Sequence, residues 1–153
     1  MLLIPLPDVH ITRNDILARD LTNVVYQKGS DCVVASGTLN DPYSGKVISF
    51  VRGPNSSAVQ IDHRVALSNA WQTGAAYWTA DKRLQFANDP INLVAADGPL
   101  NMAKGDGDAA TWLPPNKAYR CTYVTDQIAV KAKYALWVTQ AEKDAMAGIL
   151  ATC

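Results

Sequence analysis

The chain has 153 residues, 48% of them apolar and 18% charged, and its 14 basic and 14 acidic side chains cancel. This composition excludes a disordered or low-complexity chain and describes an ordered domain large enough to bury its own core. A net charge of zero also excludes a polybasic binder that relies on bulk charge, although a local cluster of Lys and Arg can still meet phosphate.

The opening MLLIPLPDVH has a short apolar run with no basic segment before it, and Pro5 and Pro7 interrupt it. No signal peptide is visible there, and no apolar run is long enough to span a membrane. Residues 12–22, TRNDILARDLT, are predicted helical, with Thr12 as the cap and Ile16, Leu17 and Leu21 as the apolar stripe. CVVASGTL at 32–39 and KVISFV at 46–51 read as strands. The turn formers of NDPYSG between them predict a hairpin or short meander. After the loop GPNSS, Val59, Ile61 and His63 fall on one side of a further strand. SNAWQTGAAYW at 68–78 is expected to be helical, capped by Ser68, with Trp71 and Trp78 on one side.

INLVA at 91–95 reads as a short strand, followed by about two helical turns from Pro99 to the glycines at 105 and 107. TWLPPNK at 111–117 is an ordered loop. Two helices close the chain. Residues 126–138 have Ile128, Tyr134 and Val138 to bury, and 140–150 opens with a capping box from Thr139 to Glu142. No repeat or linker divides the chain, so 1–153 is expected to be a single domain. The cysteines are Cys32, Cys121 and Cys153, without CxxC or zinc spacing. A Cys121–Cys153 disulfide is expected, because the segment between them is a compact helical unit.

The chemistry concentrates at IDHRVAL, 61–67, where Asp62 and His63 interrupt an apolar stretch in a chain with only two histidines. A strand bearing them, a second strand with Asn92, and a helix with Asn101 and Lys104 make a β–β–α unit. In an ideal strand Asp62 and His63 point to opposite sides. For both to face one phosphate, the strand must end, bulge or twist there. A neutral imidazole suits a general base, and the Asp62 carboxylate and Asn101 amide oxygen are the hard donors that Mg²⁺ prefers. Lys104 could reach a phosphate, and Arg64, Lys82 and Arg83 are further candidates for backbone contacts. Each has a plainer reading: a satisfied semi-buried histidine, its carboxylate partner, a helix cap, a solvated lysine. Trp71, Trp78, Trp112 and Trp137 are expected in the core, and His10 on the surface. DGD at 106–108 lacks the remaining positions of a calcium loop.

DHRVALSNAW, GAAYW, RLQFANDPINLVA, GPLNMAKGDGDAATWLPP and YRCTYVTDQIAVKAKYALWV together resemble the secreted branch of the HNH endonucleases, the actinobacterial-type group called domain of unknown function 1524. The likeness runs from about Thr12 to Cys153 and includes TRND at 12–15 and DPYSG at 41–45. It implies an α+β fold with a ββα-metal (His-Me finger) core, a flanking β-hairpin and several helices. It further implies His63 as general base, Asp62 and Asn101 as Mg²⁺ ligands, and Asn92 as the residue steadying the histidine-bearing segment. Mn²⁺ or another divalent cation could replace Mg²⁺. Related chains carry a cysteine at the place of His10, so Cys32 is expected to be free, and a proline at the place of Ala66. A second histidine near the metal is absent, and Asn101 stands in its place.

The implied activity is metal-dependent hydrolysis of DNA phosphodiesters with little sequence preference, leaving 5′-phosphates, and RNA is a possible second substrate. A nucleic-acid-binding module that lost catalysis is the alternative. An acyl hydrolase lacks any nucleophile elbow. The resemblance implies a secreted setting, while a phage-encoded or cytoplasmic one stays open. No membrane or obligate protein partner is expected.

Overall fold

The computed structural model describes residues 9–153, with side chains from Thr12 onward. The opening apolar run and the His10 side chain lie outside it. Helix α1 (Val9–Asp20) leads into strands β1 (Leu21–Tyr26), β2 (Val34–Asn40) and β3 (Val47–Val51), which pair antiparallel in the order β1-β2-β3. The helix starts ahead of Thr12, so Thr12 is not its cap; its hydroxyl donates instead to Asn88 Oδ1 at 3.0 Å. Leu21 does not finish the helix either. It opens β1 opposite Leu39, and the register slips between Thr22 and Val25, where Asn23 takes a left-handed φ of 52°. Such a bulge bends an edge strand around the helix packed on it. Ile16 and Leu17 of α1 join Leu21, Val34, Leu39 and Phe50 in one apolar core.

Strands β4 (Val59–His63) and β5 (Leu93–Asp97) form a second antiparallel sheet in unbroken register, from Val59 opposite Asp97 to His63 opposite Leu93. Helix α4 (Gly98–Lys104) follows β5 directly, so strand, strand and helix come in the expected order. A Cβ at Gly98 would lie 2.0 Å from the Ser57 carbonyl oxygen, so only glycine lets α4 begin this close to the chain entering β4. Asp97 caps α4 by accepting from the Leu100 amide at 2.8 Å.

Between the strands lie α2 (Leu67–Gln72), a single 3₁₀ turn at Ala75–Tyr77, and α3 (Ala80–Ala87). The single helix expected over 68–78 is broken at Gly74, whose φ of 136° no side-chain-bearing residue adopts readily. Helix α3 was not legible in the sequence, though Thr79 caps it through the Lys82 amide.

Helices α5 (Arg120–Tyr134) and α6 (Gln140–Leu150) pack as a pair. Tyr123, Val124, Gln127, Val130 and Tyr134 form the buried stripe of α5, and Ile128 is 38% exposed rather than buried. Thr139 caps α6 as expected, through the Glu142 amide at 3.2 Å, and the Glu142 carboxylate reaches buried Lys131 at 2.9 Å. The Cys121–Cys153 disulfide ties the start of α5 to the chain beyond α6, and Cys32 is free and exposed. The fold is α+β. Among the described residues no helix is long and apolar enough to cross a membrane.

Asp89 joins the end of α3 to α5. Its carboxylate accepts from Lys133 Nζ at 2.6 Å, the Tyr134 hydroxyl at 2.6 Å and the Ile91 amide at 3.1 Å. Burial pushes its pKa up, but these donors together hold it below the usual carboxylate value. A depressed pKa adds stability that is present above the unfolded value of about 3.9 and is lost as pH falls through the folded value. Lys133 is 48% exposed, so the ion pair contributes little and the buried tyrosine bond carries most of the effect. Asp89→Asn is expected to cost about 2 kcal/mol at pH 7. Urea denaturation across pH 2–7 should show that cost shrinking below pH 4.

Candidate active site

Side chains alternate along β4. Gln60 and Asp62 leave one side of the strand and meet α4. Asn101 Nδ2 donates to Gln60 Oε1 at 2.9 Å, and Lys104 Nζ donates to Asp62 Oδ2 at 2.7 Å. Asn101 and Lys104 are one helical turn apart, so these bonds form neighbouring rungs between strand and helix. Asp62 and Asn101 therefore stand on adjacent rungs. Ile61 and His63 leave the other side, toward Leu93 and Ala95. No bulge turns Asp62 and His63 the same way; β4 ends at His63 instead.

A cavity of about 330 Å³ opens at this strand, lined among others by His63, Asn101, Gln60, Thr12, Arg13 and Asn88. His63 Nε2 lies 2.8 Å from the Ala87 carbonyl oxygen. A carbonyl only accepts, so Nε2 carries the proton and Nδ1 is left as the ring's basic nitrogen. Burial, helped by the Lys104 charge, lowers the His63 pKa, while the Ala87 bond and Asp62 oppose that shift. The imidazole is thus neutral at neutral pH. Its backbone is fixed by Asn92, fully buried in the turn just before β5. Asn92 Oδ1 accepts from the Val65 amide at 2.8 Å, Nδ2 donates to the Val65 carbonyl at 3.0 Å, and its own carbonyl accepts from the Arg64 amide.

Asp62 is buried behind the cavity. Its Oδ2 accepts from Lys104 and from the Tyr43 hydroxyl, whose pKa burial and Asp62 drive well up. Lys104, 3% exposed, also donates to the carbonyls of His63 and Arg64. That corrects the expectation of a phosphate contact, because no face of this ammonium is left for a ligand. Arg64 likewise donates to the Ile91 and Leu93 carbonyls and pairs with Asp126 at 3.2 Å. Arg83 donates to the Ala75 and Trp78 carbonyls, and Lys82 lies over the Trp78 ring at 4.5 Å. Arg64 and Arg83 therefore act first as internal braces, with Arg83 alone bordering a second groove.

The cation at the cavity is Arg13. Its Nη2 donates to the carbonyls of Ser56 and Val59 at 3.3 and 3.0 Å, and burial beside Arg52 lowers its pKa. Arg13, Asn88, Gln60 and Tyr43 are not site candidates in the sequence reading, and Thr12 enters it only as a helix cap. The available signal was TRND and DPYSG extending the resemblance. TRND is the part of α1 that grips the site: Thr12 holds Asn88, Arg13 holds the entry to β4, and Asn14 Oδ1 takes the Val34 amide and Arg52.

No group of three or more His, Cys, Asp or Glu is placed to hold a metal among the described residues. Hard oxygen donors are nevertheless present. Asp62 Oδ1 accepts no hydrogen bond among the described residues while Oδ2 is pinned. Asn101 is pinned through Nδ2, leaving its Oδ1 as the acceptor. Both groups carry oxygen of the kind a hard divalent cation takes, with Asn101 bordering the cavity and Asp62 lying against Lys104.

A strand–strand–helix unit that sets a neutral imidazole beside oxygen donors and a guanidinium has the makings of a phosphodiester-cleaving domain. The family described as GmrSD restriction endonucleases, C-terminal domain, matches residues 11–149, and the chain belongs to it. The chain is also 45% identical over 144 residues to an uncharacterised secreted protein of Arthroderma benhamiae, covering 93% of this chain and 67% of that protein.

Proposed function

We propose that the chain is an HNH-type, metal-dependent endonuclease that hydrolyses DNA with low sequence preference. The observation carrying this reading is the His63 imidazole, held by Ala87 with Nδ1 unpartnered among the described residues, in one cavity with Asn101 and Arg13. Asp62 and Asn101 would hold Mg²⁺ or a similar cation, which when bound polarises the phosphate and stabilises the leaving oxygen. His63 Nδ1 takes a proton from water as its oxygen attacks phosphorus. The P–O3′ bond breaks, the 3′-oxygen takes a proton from solvent, and a 5′-phosphate remains. Asn92 is a positioning residue, because it touches only the backbone after His63. Arg13 meets the phosphate charge. Contacts to phosphate and sugar carry no sequence information, so a substrate held through its backbone would be cut with low sequence preference. The description of the Arthroderma relative and the Cys121–Cys153 disulfide favour a secreted setting.

Supercoiled plasmid incubated with Mg²⁺ should become nicked and then linear, and EDTA should stop it. An intact plasmid across Mg²⁺, Mn²⁺ and Ca²⁺ would sink the DNase reading. Cleavage of RNA under the same conditions would then favour the RNase, and binding without cleavage the inactive module.

A further inference from the structure

A second groove, about 370 Å³, runs between α2 and α3 and shares a wall with the cavity of His63. The shared residue is Ala87, whose carbonyl holds the His63 imidazole. Leu67 and Trp71 line the groove from α2, and Arg83, Leu84 and Ala87 line it from α3. Trp71 stays 52% exposed and Leu67 47% exposed, against the expectation that the tryptophans serve the core. The Arg83 guanidinium sits over the Trp71 indole, 5.3 Å from a ring centroid, held there by its bonds to the Ala75 and Trp78 carbonyls.

An indole backed by a fixed guanidinium presents a flat, polarisable surface, and the rest of the groove is apolar. This is the chemistry that takes a nucleobase: its faces are apolar and its partner surface is π or guanidinium. A base paired and stacked inside a duplex cannot enter such a groove. From Arg83 to Ala87 is one turn of α3, about 5–6 Å, so the groove lies within a nucleotide's reach of the imidazole.

We propose that Trp71 and Arg83 form a stacking site for an unpaired nucleobase next to the scissile phosphate, making single-stranded or locally unwound nucleic acid the favoured substrate. The occupant follows from the groove's continuity with the His63 cavity and from its pairing of apolar walls with a cation. This inference rests on the nuclease reading.

The test compares wild type, Trp71→Ala and Trp71→Phe on a fluorescent single-stranded oligonucleotide and on the same sequence as a duplex. Binding is read in the His63→Ala background and cleavage in the wild-type background. The wild type should bind and cut the single strand in preference. Trp71→Ala should weaken single-strand binding about tenfold and lower the single- to double-strand cleavage ratio, and Trp71→Phe should restore most of both. Thermal melts establish that the variants are folded, as a half-exposed side chain predicts. A wild type that cuts both substrates while Trp71→Ala matches it on each overturns the stacking site and leaves the nuclease standing. A wild type that neither binds nor cuts any nucleic acid overturns both.

Discussion

Replacing His63 with alanine is expected to lower plasmid cleavage by about 10²–10⁴-fold, the usual contribution of a positioned general base. The size follows from how the ring is held. Its Nε2–H is committed to the Ala87 carbonyl at 2.8 Å, so Nδ1 alone can take the proton of the attacking water. Burial lowers the pKa of the ring, which favours the neutral form that can take a proton. Alanine leaves an opening in a cavity that already holds about 330 Å³, and free imidazole in the buffer should restore part of the rate by entering it. The substitution removes one hydrogen bond from a half-buried side chain, so the melting temperature should fall by only a few degrees. A variant that cleaves within threefold of wild type, with both proteins folded, would remove His63 from the base role.

The β–β–α order, the Thr139 cap and the Cys121–Cys153 pairing were legible because each rests on local spacing or on chain order. The segment from 64 to 90 was not. An apolar run with two tryptophans reads as one helix unless the φ of Gly74 is known, and a side chain there would also press on Trp137 and Leu136. Side-chain direction was the other blind spot. Lys104 sits one turn after Asn101 and reads as a solvent-facing basic residue. Burial against β4 turned it inward, where it neutralises Asp62. Arg13 carries no signal of its own in the sequence beyond its place in TRND. It became the cation of the cavity because α1 crosses the sheet, gripping β4 at one end and, through Arg19 and Asp20, β5 at the other. Both outcomes depend on contacts between residues about 40 to 75 positions apart, which no window along the chain contains.

The Asp62–Lys104 pair should show the largest stability effects in the molecule, and it separates holding the site together from performing chemistry. Both side chains are almost fully withdrawn from water and 2.7 Å apart. Burial lowers the Lys104 pKa, and the Asp62 carboxylate opposes that shift. Removing one partner strands the other. Lys104→Met leaves a buried carboxylate facing only the Tyr43 hydroxyl and is expected to cost about 3–5 kcal/mol, roughly 6–20 °C in melting temperature. Asp62→Asn should cost somewhat less, because an amide oxygen still accepts from Lys104 and the ammonium keeps the His63 and Arg64 carbonyls. The double variant should lose much less than the sum, since no unpaired charge remains. Urea denaturation of the four proteins gives the coupling directly. Single costs that add to within about 0.5 kcal/mol would mean that the pair is not a unit. Cleavage should follow a different pattern. The double variant regains stability but still lacks the Asp62 carboxylate proposed to hold the cation, so its activity should stay as low as that of Asp62→Asn alone. Activity that recovered along with stability would make Asp62 a structural residue only, and would leave Asn101 without a partner for the cation.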